Sequence, residues 1–296
     1  MSKITEILQK KRDSALNAKE LAALTAFFRL SIFDVLHERG TGHWGGASSA
    51  AEIVTALYFN RLKIDPKKAQ WEDRDRFVLS KGHASLNFYT ILAHRGFFPV
   101  DELSKFRTFG SILQGHPSMK LVPGVDISTG ALGHGLSVAA GMSLAARISG
   151  KKYWTYVLSG EGCLDEGSTW EAILFAAKYK PRGLVYLVDY NKVQLDGFSQ
   201  DILPLDPLPD KFKAFGWNVA PQNYNGHDTG DILKSFEWLD KDDIWPKVII
   251  YNTVKGKGVS FTENSNKWHG APIDDASYEK GRPELSADLE TKEAAL

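Results

Sequence analysis

Glu161 and Asn191 stand 30 positions apart, each just past a short apolar run that ends in a turn. The first turn reads Ser159-Gly160-Glu161-Gly162-Cys163, and the second closes Leu187-Val188-Asp189-Tyr190-Asn191. A carboxylate and an amide are both hard oxygen donors. A strand, a glycine turn, a helix and a second strand would bring them to one edge of a parallel sheet, where a helix N-terminus can also receive a phosphate. The chemistry is that of a divalent cation held against a diphosphate. Magnesium takes oxygen ligands at about 2.0–2.1 Å and usually shares them with bound phosphates. A backbone carbonyl near Val193 would add a third ligand. Gly160-Glu161-Gly162 also reads as a tight turn with a solvated carboxylate. A dinucleotide fingerprint does not fit, because G-x-G-x-x-G needs glycine at Asp165 and Gly167 comes two places late.

Four of the eight histidines, His43, His83, His116 and His269, sit in glycine-adjacent loops at expected element ends. With an unperturbed pKa of about 6.5, histidine can take and give protons near neutral pH. A loop histidine standing alone is more often an incidental polar residue. His134, at the start of a glycine-rich helix, and His227 match no catalytic pattern, and for His134 a structural role is at least as good a reading as packing beside a bound ring. No base is arranged in the sequence to make Cys163 a nucleophile.

These residues need elements to position them. Leu21, Leu24, Phe28, Ile32, Val35 and Leu36 share a helical stripe, predicting a helix from about Ser14 to Glu38. A second helix is expected from Ser48-Ser49 to about Asn60, after the turn Gly42-His43-Trp44-Gly45-Gly46. Arg76–Ser80, Tyr153–Leu158, Gly183–Val188, Gly216–Val219 and Lys247–Thr253 read as strands. The second and third of these are apolar throughout, as in a sheet covered on both faces. Helices are expected over Leu132–Ile148, Glu166–Tyr179 and Thr229–Leu239, with another starting at Lys211–Phe215. The alternation predicts an α/β fold, a doubly wound, mostly parallel sheet flanked by helices, over 1–275, with 276–296 a polar C-terminal arm on the surface or against a partner.

Composition bounds the partners. The 296 residues are 43% hydrophobic and 11% aromatic, enough for a sizeable core. Lys plus Arg and Asp plus Glu both number 36, so no global field draws the chain to nucleic acid or an anionic membrane. One cysteine excludes an internal disulfide and a cysteine zinc cluster, which fits a reducing, cytoplasmic setting. No signal-like core and no apolar run of about 18 residues is present, so no membrane role is expected.

Gly160-Glu161-Gly162, followed by about thirty residues and Asn191, is similar to the thiamine-diphosphate signature. Glu166-Gly167, Trp170-Glu171-Ala172 and Val188-Asp189-Tyr190-Asn191 resemble its transketolase version. Other blocks agree in order: Gly42-His43, Ser80-Lys81-Gly82-His83-Ala84, Gly115-His116-Pro117, Ser128-Thr129-Gly130-Ala131-Leu132-Gly133 and Lys267-Trp268-His269-Gly270. The resemblance runs from about Leu21 to Ala271. It implies the diphosphate-binding domain of a thiamine-diphosphate-binding fold, with thiamine diphosphate and magnesium (or calcium or manganese) as cofactors.

By that resemblance, His43 and His269 handle the donor's C3 hydroxyl proton, while His83 and His116 touch the diphosphate or the C1 hydroxyl. The backbone at Gly130 and Leu132 meets the aminopyrimidine. Gly160, Glu161, Gly162, Cys163 and Asn191 surround the diphosphate, and Glu161, Asn191 and the Val193 carbonyl hold the metal. Glu166 joins a carboxylate network across the subunit interface, or else is a first-turn glutamate favoured by its helix dipole. One residue departs: the family normally has aspartate at Glu161. The extra methylene moves the carboxylate outward, so the metal either sits differently or binds more weakly.

Transketolases are about twice this length, and the missing half carries the pyrimidine-binding domain and the glutamate that activates the cofactor. The chain is therefore expected to be the N-terminal subunit of a split transketolase. It would work only with a separate C-terminal subunit carrying that domain, as an α2β2 assembly, and move a two-carbon ketol unit from a ketose or ketose phosphate to an aldose. Two alternatives stay open: another thiamine-diphosphate carboligase such as a 1-deoxyxylulose-phosphate-synthase-like enzyme, and a noncatalytic regulatory subunit with an altered metal site. The Lys267–Gly270 loop and the His43 and His116 blocks favour ketol transfer. The sequence does not identify the sugar.

Overall fold

Apolar runs that alternate between two cores build the centre of the molecule. The computed structural model describes residues 3–10, 15–221 and 223–296. Its strands are β1 (Arg76–Leu79), β2 (Thr155–Gly160), β3 (Leu184–Tyr190), β4 (Asn218–Val219), β5 (Tyr224–Asn225) and β6 (Lys247–Asn252). They pair in parallel in the order β1-β2-β3-β6-β4, with β5 also pairing β6. The helices, in chain order, are α1 (Lys3–Lys10), α2 (Ala18–Arg39), α3 (Trp44–Ser49), α4 (Ala51–Ala56), α5 (Ser85–Arg95), α6 (His134–Ile148), α7 (Gly167–Tyr179), α8 (Ser199–Ile202), α9 (Leu208–Ala214), α10 (Thr229–Leu239) and α11 (Asp275–Ala294).

Successive strand residues point to opposite faces. Phe77, Leu79, Tyr156, Leu158, Val185, Leu187, Ile249 and Tyr251 enter the core shared with α2, α4, α5 and α10. Their neighbours Val78, Val157, Leu184, Tyr186, Val188, Val248 and Ile250 enter the core shared with α6, α7 and α9. That burial on both faces is what the uninterrupted apolar runs predicted, and it makes a three-layer α/β/α fold.

All six residues of the expected stripe in α2 are buried. Asn17 caps this helix: its Oδ1 accepts from the Lys19 and Glu20 backbone N–H at 3.0 and 3.1 Å, and Glu20 reaches back to the Asn17 N–H at 2.8 Å. Left-handed Gly40 closes it. The cap places the start at Ala18, and Ser14 lies outside the described residues. The second expected helix begins earlier, at Trp44, breaks at Ala50 and gives way to a π-turn over Leu57–Arg61. The last twenty helical residues, α11, lie along α2. Leu285 is buried there, and Tyr278 stacks on His37 at 3.9 Å between ring centroids. Among the described residues no helix is long and apolar enough to cross a membrane.

Candidate active site

The carboxyl ends of β1, β2, β3 and β6 open onto one cleft, the usual ligand position in an open parallel sheet. It has a volume of about 200 Å³. Strand β2 ends in a 3₁₀ turn that presents Glu161, β3 delivers Asn191, β1 runs into Lys81-Gly82-His83, and the segment after β6 delivers Lys255. Gly160, Gly162, Cys163, Leu132, Val193 and His269 also line it.

Glu161 is only 2% exposed. Its carboxylate accepts from the Asn191 N–H at 2.9 Å and from the Ser199 hydroxyl at 2.8 Å. Burial, reinforced by the Asp189 charge, pushes its pKa up to about 7, although Ser199, Lys81 and Lys255 pull it down. The Asn191 Oδ1 accepts from the Val193 N–H at 3.2 Å. A carboxylate, an amide oxygen and the Val193 carbonyl thus border one cavity, the hard-oxygen set that magnesium or calcium takes. Each oxygen keeps lone-pair capacity beyond its bond. A six-coordinate cation held by these three oxygens would complete its shell with phosphate or water oxygens; among the described residues no group of three or more His, Cys, Asp or Glu side chains could hold a metal.

The cleft is cationic. Lys255 is 3% exposed, and its ammonium donates to the Val193 carbonyl at 2.8 Å, the Gln194 carbonyl at 3.2 Å and the His269 Nδ1 at 2.8 Å. Burial, then repulsion from Lys81, lower its pKa to about 8, which still leaves it mostly charged at neutral pH. Lys81 pairs with Asp189, a buried carboxylate also bonded by Ser49 and Thr253. Burial works to raise Asp189, but the Lys81 charge and these bonds outweigh it and hold the group below its usual range. Among the described residues Lys255 has no carboxylate ion-pair partner, and a buried cation of that kind is what a phosphate ligand needs. Sequence reasoning missed Lys255; the available signal was its place just beyond a strand end, as with Glu161 and Asn191.

Three of the expected histidines meet. The His43 ring lies 5.4 Å from His83 and 5.5 Å from His269, and His83 lies 4.9 Å from His269, centroid to centroid. All three are neutral at pH 7. Burial and then Arg107 lower His43 to about 4; burial and then Lys255 lower His269 to about 3; burial and Lys81 hold His83 well below its usual value. His116 sits at the rim, exposed, against Gly130, and burial followed by Arg107 lowers it too. Gly82 lets the 128–132 loop close over this region, because a Cβ there would fall 2.9 Å from the Gly130 nitrogen. Gly130 itself lines a neighbouring recess with Thr129 and His134. Glu166 stands apart, exposed at the N-cap of α7 beside Gly133. Cys163 is buried with its thiol pKa raised by that burial, 3.6 Å from the Ser80 hydroxyl, and so is inert as a nucleophile.

Residues 21–292 match the family described as transketolase, thiamine diphosphate binding domain. The chain is 41% identical over 249 residues to the 6-deoxy-6-sulfo-D-fructose transketolase subunit SqwG of Clostridium sp. (strain MSTE9), covering 84% of this chain and 90% of that one. It is 39% identical over 265 residues to a subunit of the apulose-4-phosphate transketolase of Phocaeicola vulgatus, covering 90% and 93%. It superposes on the crystal structure of transketolase from Campylobacter jejuni with a TM-score of 0.82 and 30% identity. That match covers 98% of this chain and 46% of the longer one, so the chain spans less than half the solved transketolase.

Proposed function

The chain belongs to the transketolase family as its thiamine diphosphate-binding domain, and from that premise we propose that it is one subunit of a two-chain transketolase. It would move a two-carbon ketol unit from a ketose or ketose phosphate to an aldose. The meeting of Glu161, Asn191, Val193, Lys255, His83 and His269 in one cleft, with the neutral His43 ring against both histidines, supports this role. Bound there, thiamine diphosphate supplies the carbon nucleophile and electron sink for breaking and forming the bond beside a ketose carbonyl.

The chain's own side chains would do the rest. Glu161, Asn191 and the Val193 carbonyl would hold magnesium, with calcium or manganese as substitutes, and Lys255 would face the diphosphate oxygens. The backbone at Gly160, Gly162 and Cys163 would line the diphosphate, and Gly130 and Leu132 would border the aminopyrimidine. His43, His83, His116 and His269 would bind and orient the sugar hydroxyls, and Glu166 would lie where another protomer can cover it. The longer carboxylate at Glu161 reaches the same cleft as Asn191, which disfavours a degenerate metal site. Two relatives that match over most of their own length are each named as one subunit of a transketolase, which supports a separate partner. We propose an α2β2 assembly in which that partner brings the pyrimidine-binding domain. The lone unpaired cysteine suits a reducing, cytoplasmic setting.

Co-expression with the product of the adjacent reading frame tests the role. The complex should transfer ketol units from at least one ketose in a donor panel, and the chain alone should not. Equal activity of the isolated chain, or a cofactor-loaded complex inert toward every donor, would contradict it.

A further inference from the structure

Arg107 belongs to no motif that the sequence singled out, yet it occupies unusual surroundings. Its backbone is left-handed, with φ +58°, a conformation that non-glycine residues seldom adopt outside constrained sites. Its N–H donates to the Leu113 carbonyl at 2.8 Å, closing the 107–113 loop. From there the guanidinium reaches Thr41, with Nη1 donating to its Oγ1 at 2.8 Å, and His43, with Nη2 meeting the ring Nδ1 at 3.2 Å. Gly115 makes room for it, since a Cβ there would stand 2.9 Å from both Nε and Nη2. Among the described residues Arg107 forms no ion pair, and its buried Nε has no partner.

A guanidinium has donors and no acceptor, and it keeps its proton. The ring nitrogen it meets must therefore be the unprotonated one. We propose that Arg107 is a positioning residue that holds His43 in its Nε2–H tautomer, so that His43 meets the substrate as a hydrogen-bond donor rather than as a base. The same device recurs one ring away, where the Lys255 ammonium donates to the His269 Nδ1. A neutral imidazole with its Nδ1 lone pair engaged presents an N–H to an oxygen that gains negative charge, as a preorganised donor does. The consequence for ketol transfer rests on the activity proposed above. The tautomer itself does not.

The test uses the full chain labelled with ¹⁵N-histidine, without cofactor or partner. Long-range ¹H–¹⁵N correlation at neutral pH reads each ring's tautomer, with the His43 signals assigned by their loss in His43→Gln. The expected result is a bare Nδ1 and a protonated Nε2 in the unaltered chain. A protonated Nδ1 overturns the proposal. Arg107→Glu replaces the donor with an acceptor and should switch His43 to the Nδ1–H form or to the doubly protonated form, whereas Arg107→Lys, still a donor, should leave it unchanged. A folded Arg107→Glu chain that keeps the Nε2–H tautomer overturns the role of Arg107. If that variant does not fold, Arg107→Met serves in its place: the tautomer mixture must then shift toward Nδ1–H, and an unchanged spectrum overturns the role. Because these spectra need no turnover, their failure is distinguishable from failure of the proposed activity, which the co-expressed complex reports.

Discussion

Replacing Glu161 with glutamine should stabilise the metal-free chain, although it removes an expected metal ligand. The carboxyl is 2% exposed and titrates at about 7, against 4.5 for a solvated glutamate. Each tenfold change in proton affinity corresponds to about 1.4 kcal/mol between the protonation states. A folded pKa raised above the unfolded one gives stability that is fully present below pH 4.5 and is lost as pH rises through 7. The loss is about 1 kcal/mol by pH 5.5 and about 3 kcal/mol at pH 8. Glutamine imitates the protonated acid: its oxygen can accept from the Asn191 N–H and its amide can donate to the Ser199 hydroxyl. Urea denaturation in the presence of a chelator should therefore find Glu161→Gln more stable by about 1 kcal/mol at pH 5.5 and about 3 kcal/mol at pH 8. With magnesium and thiamine diphosphate added, the order should reverse, because ligand binding stabilises only the form that binds. A variant that is less stable at pH 8 without metal, or equally displaced at both pH values, would refute the reasoning.

Other outcomes follow from the same structure. Lys255→Met should weaken thiamine diphosphate binding tenfold or more by calorimetry on the complex, and should raise the His269 pKa in NMR titration, since Lys255 is the chief charge holding it down. Asp189→Asn leaves the buried Lys81 without a counter-charge and should cost about 3–5 kcal/mol in chemical denaturation. Leu285→Ala should cost about 2–4 kcal/mol, because that side chain is 1% exposed and anchors the C-terminal helix α11.

Where local pattern and tertiary burial agree, the elements were legible from residue order. The stripe from Leu21 to Leu36 and the uninterrupted runs of β2 and β3 pointed to both the helix and the doubly covered sheet. Helix α5 escaped notice because Ser85–Ala93 is buried throughout, leaving no polar face to mark a period. Strand β4 falls inside the expected Gly216–Val219 run, whereas β5, two residues long, is set by pairing with β6 rather than by local preference. The tail looked polar because the face of α11 turned to the core is only Tyr278, Gly281, Leu285 and Leu289, spaced three and four apart, and a glycine and two leucines in a polar twenty-residue helix are a thin stripe. In the site, glycine-flanked acids and histidines stood out by spacing. Lys255 and Arg107 did not, since a lone cation in a loop carries no period, and their roles come from burial and from the rings they touch.

The most direct measurement is a calorimetric titration of thiamine diphosphate into the chain co-purified with its partner, first with saturating magnesium and then with a chelator. Binding with magnesium that weakens tenfold or more in the chelator, and equally in Glu161→Ala with magnesium, is the predicted result. Binding indifferent to both the metal and Glu161, or no binding under either condition, would contradict a cofactor cleft built on Glu161 and Asn191.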